Sequence, residues 1–241
     1  MKALVLSLLS VTLLGCGGDN TGSKVAAPGD RESATTQALE AGADMLQAKA
    51  PLEKLNAYLD GFHFYSGNMQ GQMEAHHYCG HLNEDLIQCV IFDGNTGNAK
   101  IMGVEYIVTR KLFNTLPPEE QHLWHSHVHE VRSGTLIAPG IPDVAERTLM
   151  QQLAGTYGKT WHTWHTDQQH VLPVGSPMLM MGFTQDGQLN EKLVQDRDQR
   201  FNVSSAQKRE QRADIAYPDI APQADAWKKG IVPQLQLTQV K

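Results

Sequence analysis

Apolar and polar positions change period several times along this chain, and each change marks an element. Over residues 37–59, Leu39, Ala43, Leu46 and Ala50 recur at helical spacing, and Pro51 divides the stretch into two helices. Residues 86–92 and 101–108 are apolar runs of strand length; the Gly94-Asn95-Thr96-Gly97-Asn98 turn between them predicts a hairpin. A second hairpin, turning at Asn83-Glu84-Asp85, joins residues 76–82 to 86–92. Pro117-Pro118-Glu119-Glu120 opens a short helix, since proline suits a first turn and acids suit its dipole. Residues 124–137 read as a strand pair or an irregular segment. Asp143 and Glu146 have capping-box spacing for a helix running to about residue 156. Residues 160–166 and 178–184 are further strands. Residues 191–200 and 205–214 are helices whose many charges predict mostly solvated faces, and the proline-punctuated residues 218–241 wrap the surface. Strands in runs, flanked by helices rather than alternating with them, give an α+β fold: a single domain over 37–241 with a mixed, mostly antiparallel sheet.

The start of the chain, MKALVLSLLSVTLLGC, has a different character. Its apolar run is shorter than the roughly 20 residues that span a bilayer, but it suits a signal peptide over residues 1–15. Leu13-Leu14-Gly15-Cys16 resembles the lipobox of bacterial lipoproteins, which implies acylation of Cys16 and attachment to a membrane through that lipid. Residues 16–36 then form a lipidated, flexible tether. The expected location is the bacterial cell envelope, with the outer membrane favoured because Gly17 rather than aspartate follows the cysteine. The net charge of −6 argues against a nucleic-acid partner and against electrostatic docking on anionic lipid.

Histidine is the chemically conspicuous residue, with eleven in the chain. On a strand, His77, Cys79 and His81 share one face, and a hairpin centred on Glu84 sets Cys79 opposite Cys89. The same alternation puts His125, His127 and His129 on one face and Glu130 on the other. Three readings fit. One is a divalent transition-metal site drawing on His77, His81, His125 and His127 with Glu130 nearby. Another is a Cys79–Cys89 disulfide with the histidines as polar neighbours. The third, which leads because neither HExxH nor CxxC is present, is a set of hydrogen-bonded structural side chains. The His125-Ser126-His127 segment is similar to the first metal motif of cupins, but its spacing to Glu130 and Gly134 departs from that pattern, so no cupin ligands are carried over. There is no GxSxG elbow and no phosphate-binding GxxxxGK[ST] loop. Met178, Met180 and Met181 could line an adaptable apolar pocket.

Seven longer stretches share a family character: HFYSGNMQGQMEAHHYCGHLNEDLIQCVIFD, GVEYIV, LPPEEQHLWHSHVHEVRSG, TYGKTWHTW, LPVGSPMLMM, LVQDRDQRFN and QADAWKKG. Together, over residues 63–230, they resemble the oil body-associated protein family, also catalogued as domain of unknown function 1264. The resemblance implies a lipid-surface theme, since plant members associate with seed oil bodies and are thought to maintain droplet structure. It transfers no catalytic residue. Because plant members work in the cytosol and keep both cysteines, it also makes an obligatory disulfide less expected than a thiol pair with a structural, ligand or redox role. The leading expectation is a non-enzymatic lipoprotein that binds lipid or another apolar ligand. The alternative is a metal-dependent hydrolase or oxygenase built on the histidine cluster.

Overall fold

Ser33 starts the first helix, α1 (Ala34–Leu46), by accepting the Thr36 N–H on its hydroxyl. None of the side chains of α1 is buried. A single turn, α2 (Ala50–Glu53), follows, with Pro51 in its first turn. The computed structural model describes residues 19–239, so the signal-like run at 1–15 and Cys16 lie outside the described residues.

The helical reading of residues 55–59 gives way to β1 (Ala57–Tyr65), where nearly every residue is buried. Leu59 belongs to the alternation of that strand rather than to the preceding helical period, and packing on both faces outweighs the weak local preference. Two antiparallel hairpins follow from β2 (Asn68–Asn83), β3 (Leu86–Phe92) and β4 (Ile101–Thr109), turning where the sequence predicts. Beyond the short helices α3 (Arg110–Phe113) and α4 (Pro118–Gln121), residues 124–137 are neither a strand pair nor irregular. They form a two-residue strand, β5 (His125–Ser126), and a helix, α5 (Val128–Ser133). The chain continues through α6 (Asp143–Leu153), β6 (Thr156–His162), β7 (Met178–Met181), α7 (Glu191–Phe201) and α8 (Ser205–Gln211). The capping box at α6 is absent: Pro142 is the cap, and the Glu146 carboxylate instead accepts the Ala138 N–H at 2.9 Å.

The strands run β4-β3-β2-β1-β7-β6, and β4 also pairs with β6, so the antiparallel sheet closes into a six-stranded barrel. Closure removes the exposed edges that an open sheet would leave. Directly opposed residues point to one side of a sheet, so the register Leu59↔His77, Cys79↔Cys89, Ile107↔Gly158 and Gly103↔His162 defines the inward set. One end of the interior is apolar, with Leu59, Cys79, Cys89 and Ile107 packed against Leu136 and Leu153. The other end holds Tyr65, Met73, Ala75, Ile91, Met102 and Met180. A polar belt containing His63, His77, Glu105 and His162 lies between them. Met180 and Met181 are fully buried core rather than pocket lining. The sulfurs of Cys79 and Cys89 are bonded to each other.

The charged helices are less solvated than their composition suggests. Arg197 and Arg212 are buried because their guanidinium groups meet acceptors: Asp60 Oδ1 at 2.6 Å and Thr135 O at 2.9 Å for Arg197, and Leu136 O at 2.8 Å and Val131 O at 3.0 Å for Arg212. A charge can be buried when it is paired and hydrogen-bonded in this way. Residues 20–25 of the segment read as a tether are likewise docked, with the Asn20 and Thr21 N–H groups donating to Asn95 Oδ1 at 2.9 and 2.8 Å, while residues 26–36 are exposed. Among the described residues, no helix is long and apolar enough to cross a membrane.

Candidate metal centre

Glu105 lies in the middle of β4, and its side chain turns into the barrel, 2 % exposed. Imidazoles from separate elements converge on its carboxylate. His77 Nε2 of β2 lies 3.0 Å and His63 Nε2 of β1 lies 4.0 Å from Oε2. His127 Nε2, just before α5, and His125 Nε2 of β5 lie 3.3 and 3.4 Å from Oε1. His162 of β6 joins the edge of the group, its Nε2 3.4 Å from His63 Nδ1. All of these side chains are buried.

Hydrogen bonds on the far side of two rings set their tautomers. His77 Nδ1 lies 3.0 Å from the Ala75 carbonyl, which can only accept, so Nδ1 carries the proton. His127 Nδ1 lies 2.8 Å from Thr156 Oγ1, whose own hydrogen goes to the Leu153 carbonyl at 2.7 Å. The threonine must therefore accept, and Nδ1 of His127 is protonated as well. In a neutral ring, each Nε2 is then a bare lone pair aimed at a carboxylate oxygen. Two acceptors at such distances repel unless a proton or a metal ion lies between them. Orienting bonds of this kind characterise metal-ligating histidines.

His77 Nε2 and both ring nitrogens of His125 have no hydrogen-bond partner among the described residues, although they are buried. His63, Glu105 and His125 offer ligand atoms that all lie within 4.8 Å of one another, with His77 Nε2 3.0 Å and His127 Nε2 3.3 Å from the same carboxylate. Glu130, on the first turn of α5, places its carboxylate with His125 and His127 in a set of ligand atoms lying within 4.8 Å of one another.

Electrostatics follow the burial. Burial works to raise the Glu105 carboxyl, but hydrogen bonds from His125, His127 and His77, available where their facing nitrogens carry a proton, outweigh it and hold Glu105 well below the usual carboxylate range. Burial depresses His63 and His127, and takes His162 down to about 3. It also works against charge on His125, where Glu105 prevails and raises the group. Glu130, buried beside other acids, is pushed up to about 8.

Close backbone approach makes room for the cluster. A methyl group at Gly158 would fall 2.0 Å from Glu105 Oε1 and 2.9 Å from His125 Nε2, and one at Gly182 would fall 2.8 Å from His125 Cδ2. On the apolar side, Leu59, Ile107, Leu136 and Leu153 bound a cavity of about 20 Å³ that touches His77, Glu105 and His127. One water molecule needs about 10–15 Å³. A second buried group, Asp60, Glu74 and His76, also clusters within 4.8 Å. Its carboxylates are paired with Arg197 and Arg200, although Asp60 Oδ2, Glu74 Oε1 and His76 Nε2 have no hydrogen-bond partner among the described residues.

The residues expected to act as ligands divide accordingly. His77, His125 and His127 come together, with Glu130 beside them, although the reason differs from strand alternation. The chain turns into α5 after Ser126, which swings His129 out toward Asp186 at 3.8 Å and brings Glu130 inward. His81 is exposed at the end of β2, beyond the barrel mouth, and takes no part. His63, Glu105 and His162 are members that the sequence reading did not select. The sequence offers no signal for Glu105, because Val104, Tyr106 and Val108 make the opposite face of β4 the apolar one.

A family described as "Protein of unknown function (DUF1264)" matches residues 49–216. Oil body-associated protein 1B of Arabidopsis thaliana is 42% identical over 224 residues, covering 92% of this chain and 93% of its own length. Oil body-associated protein 1A of Zea mays is 44% identical over 206 residues, covering 85% and 87%. No solved structure matches the chain. These relatives correct the location expected from residues 1–16, because they are plant oil body-associated proteins and not bacterial envelope lipoproteins. An apolar run ending in cysteine is a short local pattern, whereas this likeness extends through the whole folded domain. By the family match and by these identities, the chain belongs to the oil body-associated protein family, DUF1264.

Proposed function

We propose that the barrel holds one divalent transition-metal ion in its polar belt, bound by His63, Glu105 and His125 with His77 and His127 adjacent, and that the protein acts through this centre. The observation that carries the reading is the pair of Nδ1-protonated histidines aiming Nε2 at Glu105. Imidazole-rich donor sets suit zinc, copper, iron or nickel, whereas calcium and magnesium favour oxygen ligands. The water-sized cavity beside the donors leaves room for one exogenous ligand. An open position of that kind distinguishes catalytic from closed structural sites. This favours metal-assisted chemistry, of hydrolase or oxygenase type, over a purely structural ion.

Elemental analysis of untagged full-length protein tests the reading. The expected result is about one transition-metal ion per chain, retained in His81→Ala and lost in His125→Ala and His127→Ala. Protein that is metal-free as purified, and that takes up no zinc, iron, copper or nickel on dialysis, would refute it.

A second reading rests on the surface. Leu39, Met45 and Leu46 of α1 are 70%, 84% and 83% exposed, leaving the helix an uncovered apolar face. The name of the relatives speaks of oil bodies, and such a face suits a lipid or another apolar partner. Full-length protein is expected to float with triolein–phospholipid emulsion droplets, and Leu39→Glu/Leu46→Glu to remain in the aqueous phase. Equal partition of both proteins rejects this reading.

A further inference from the structure

The apolar end of the barrel abuts a second, larger cavity. Between the β2–β3 turn and the C-terminal turn of α6 lies a pocket of about 220 Å³. Its walls include Ile87, Val108 and Leu149. Ile107 and Leu153 line this pocket and also line the small cavity against Glu105, so the two spaces share these side chains as a partition. Thr156, whose hydroxyl orients His127, lines the pocket as well. The pocket therefore reaches the immediate surroundings of the histidine cluster from the outside.

Its rim is polar. Glu84, Asp85 and Gln152 stand there. Asp85 is paired with Lys111 at 2.6 Å and accepts the Thr109 hydroxyl at 2.7 Å, which leaves the Glu84 carboxylate at the rim beside the exposed His81 imidazole. Apolar walls with a few polar groups at the mouth are the usual make-up of a small-molecule site. Carboxylates at the mouth disfavour an anionic head group and favour a neutral or cationic one.

We propose that this pocket binds a short aliphatic molecule carrying an alcohol or amine, with its apolar end against Ile107 and Leu153 and its polar group at Glu84. The pocket stands on its own geometry. It does not depend on the metal reading.

Calorimetric titration of the full-length protein with n-butanol, n-hexanol and n-octanol tests the pocket directly. Each added methylene is expected to strengthen binding roughly fourfold, the equivalent of about 0.8 kcal/mol, until the pocket is full. n-Hexylamine should bind at least as well as n-hexanol, and hexanoate at least tenfold more weakly. Gln152→Trp and Leu149→Trp, at exposed and half-buried positions, should each reduce hexanol affinity at least tenfold while the melting temperature and metal content stay unchanged. Affinity unaltered in both tryptophan variants, no saturable binding of any of these compounds, or hexanoate binding tighter than hexanol would overturn the proposal. Running the titration on metal-analysed and on chelator-treated protein separates the two readings. Saturable, tryptophan-sensitive binding in protein that cannot be loaded with metal supports the pocket and overturns only the metal centre.

Discussion

Chelator-stripped protein is expected to melt roughly 8–16 °C below the ion-loaded form. An ion supplied at a thousand times its Kd stabilises the native state by about 4 kcal/mol. In a domain of this size each kcal/mol moves Tm by roughly 2–4 °C. The direction follows from the donor geometry. Without a metal ion, His77 and His127 turn Nε2 toward Glu105 at 3.0 and 3.3 Å with no ligand bond between them; with one, the same contacts become ligation. Gly158→Ala should abolish the difference between stripped and loaded protein, because its Cβ would occupy the space at Glu105 Oε1. Thermal scans of wild type and Gly158→Ala, with and without added zinc, read out both effects. A wild-type Tm that ignores chelator and metal alike contradicts the ion's role in stability. In the ion-free protein, acid should act in a definite direction. His63, His127 and His162 are held below 6.5 in the fold, so the unfolded chain takes up protons that the folded one refuses. Stability contributed by these groups is present above pH 6.5 and falls as pH drops below it, down to about 3 for His162.

Arg197→Met is expected to cost about 3–5 kcal/mol, since removing one partner of a buried ion pair strands the other charge. Arg197 fixes Asp60 at 2.6 Å, and both side chains are fully buried. Burial and the neighbouring Glu74 already push Asp60 well above the usual carboxylate range, with Arg197 opposing them. Loss of the guanidinium would leave Asp60 to take up a proton or drag water into the wall of β1. The strand would also lose an anchor next to its bridge to Ile137, where the two backbones exchange hydrogen bonds of 2.9 Å. Urea unfolding of Arg197→Met and of Arg197→Met/Asp60→Asn checks this, and the double variant should recover a substantial part of the loss. A cost under about 1 kcal/mol for the single variant would show that the pair is dispensable, as most exposed pairs are.

The candidate centre was partly legible because its histidines are dense in sequence and lie in two segments whose local structure could be guessed. His77 was placed by simple alternation within β2. His125 and His127 were selected for a reason that failed, strand parity, and brought together by another: β5 ends at Ser126 and the chain turns immediately into α5. Glu105 was hidden by its company. Within GVEYIVT it looks like the polar half of a solvent-facing alternation, and only the pairing of β4 with β6 makes its face an interior. His63 was hidden by β1, where aromatic residues pack on one side while the polar belt lies on the other. The buried arginines are invisible to composition for a related cause: composition reports charge, but acceptors supplied by residues 60, 131, 135 and 136 decide whether that charge can leave water.

By itself the sequence determined the local, short-range features: the β2–β3 and β3–β4 hairpins, the Cys79↔Cys89 register, the main helices, and membership of a family recognisable over most of the chain. These depend on turn residues, on alternation and on long strings of family character that can be read one segment at a time. Tertiary structure alone decided that the sheet closes, through the β4–β6 pairing of residues about fifty positions apart. Closure turned one face of each strand into an enclosed volume, and so converted scattered imidazoles and a lone acid into a single site. No local pattern encodes that step, because what a side chain faces is set by the strand that arrives opposite it.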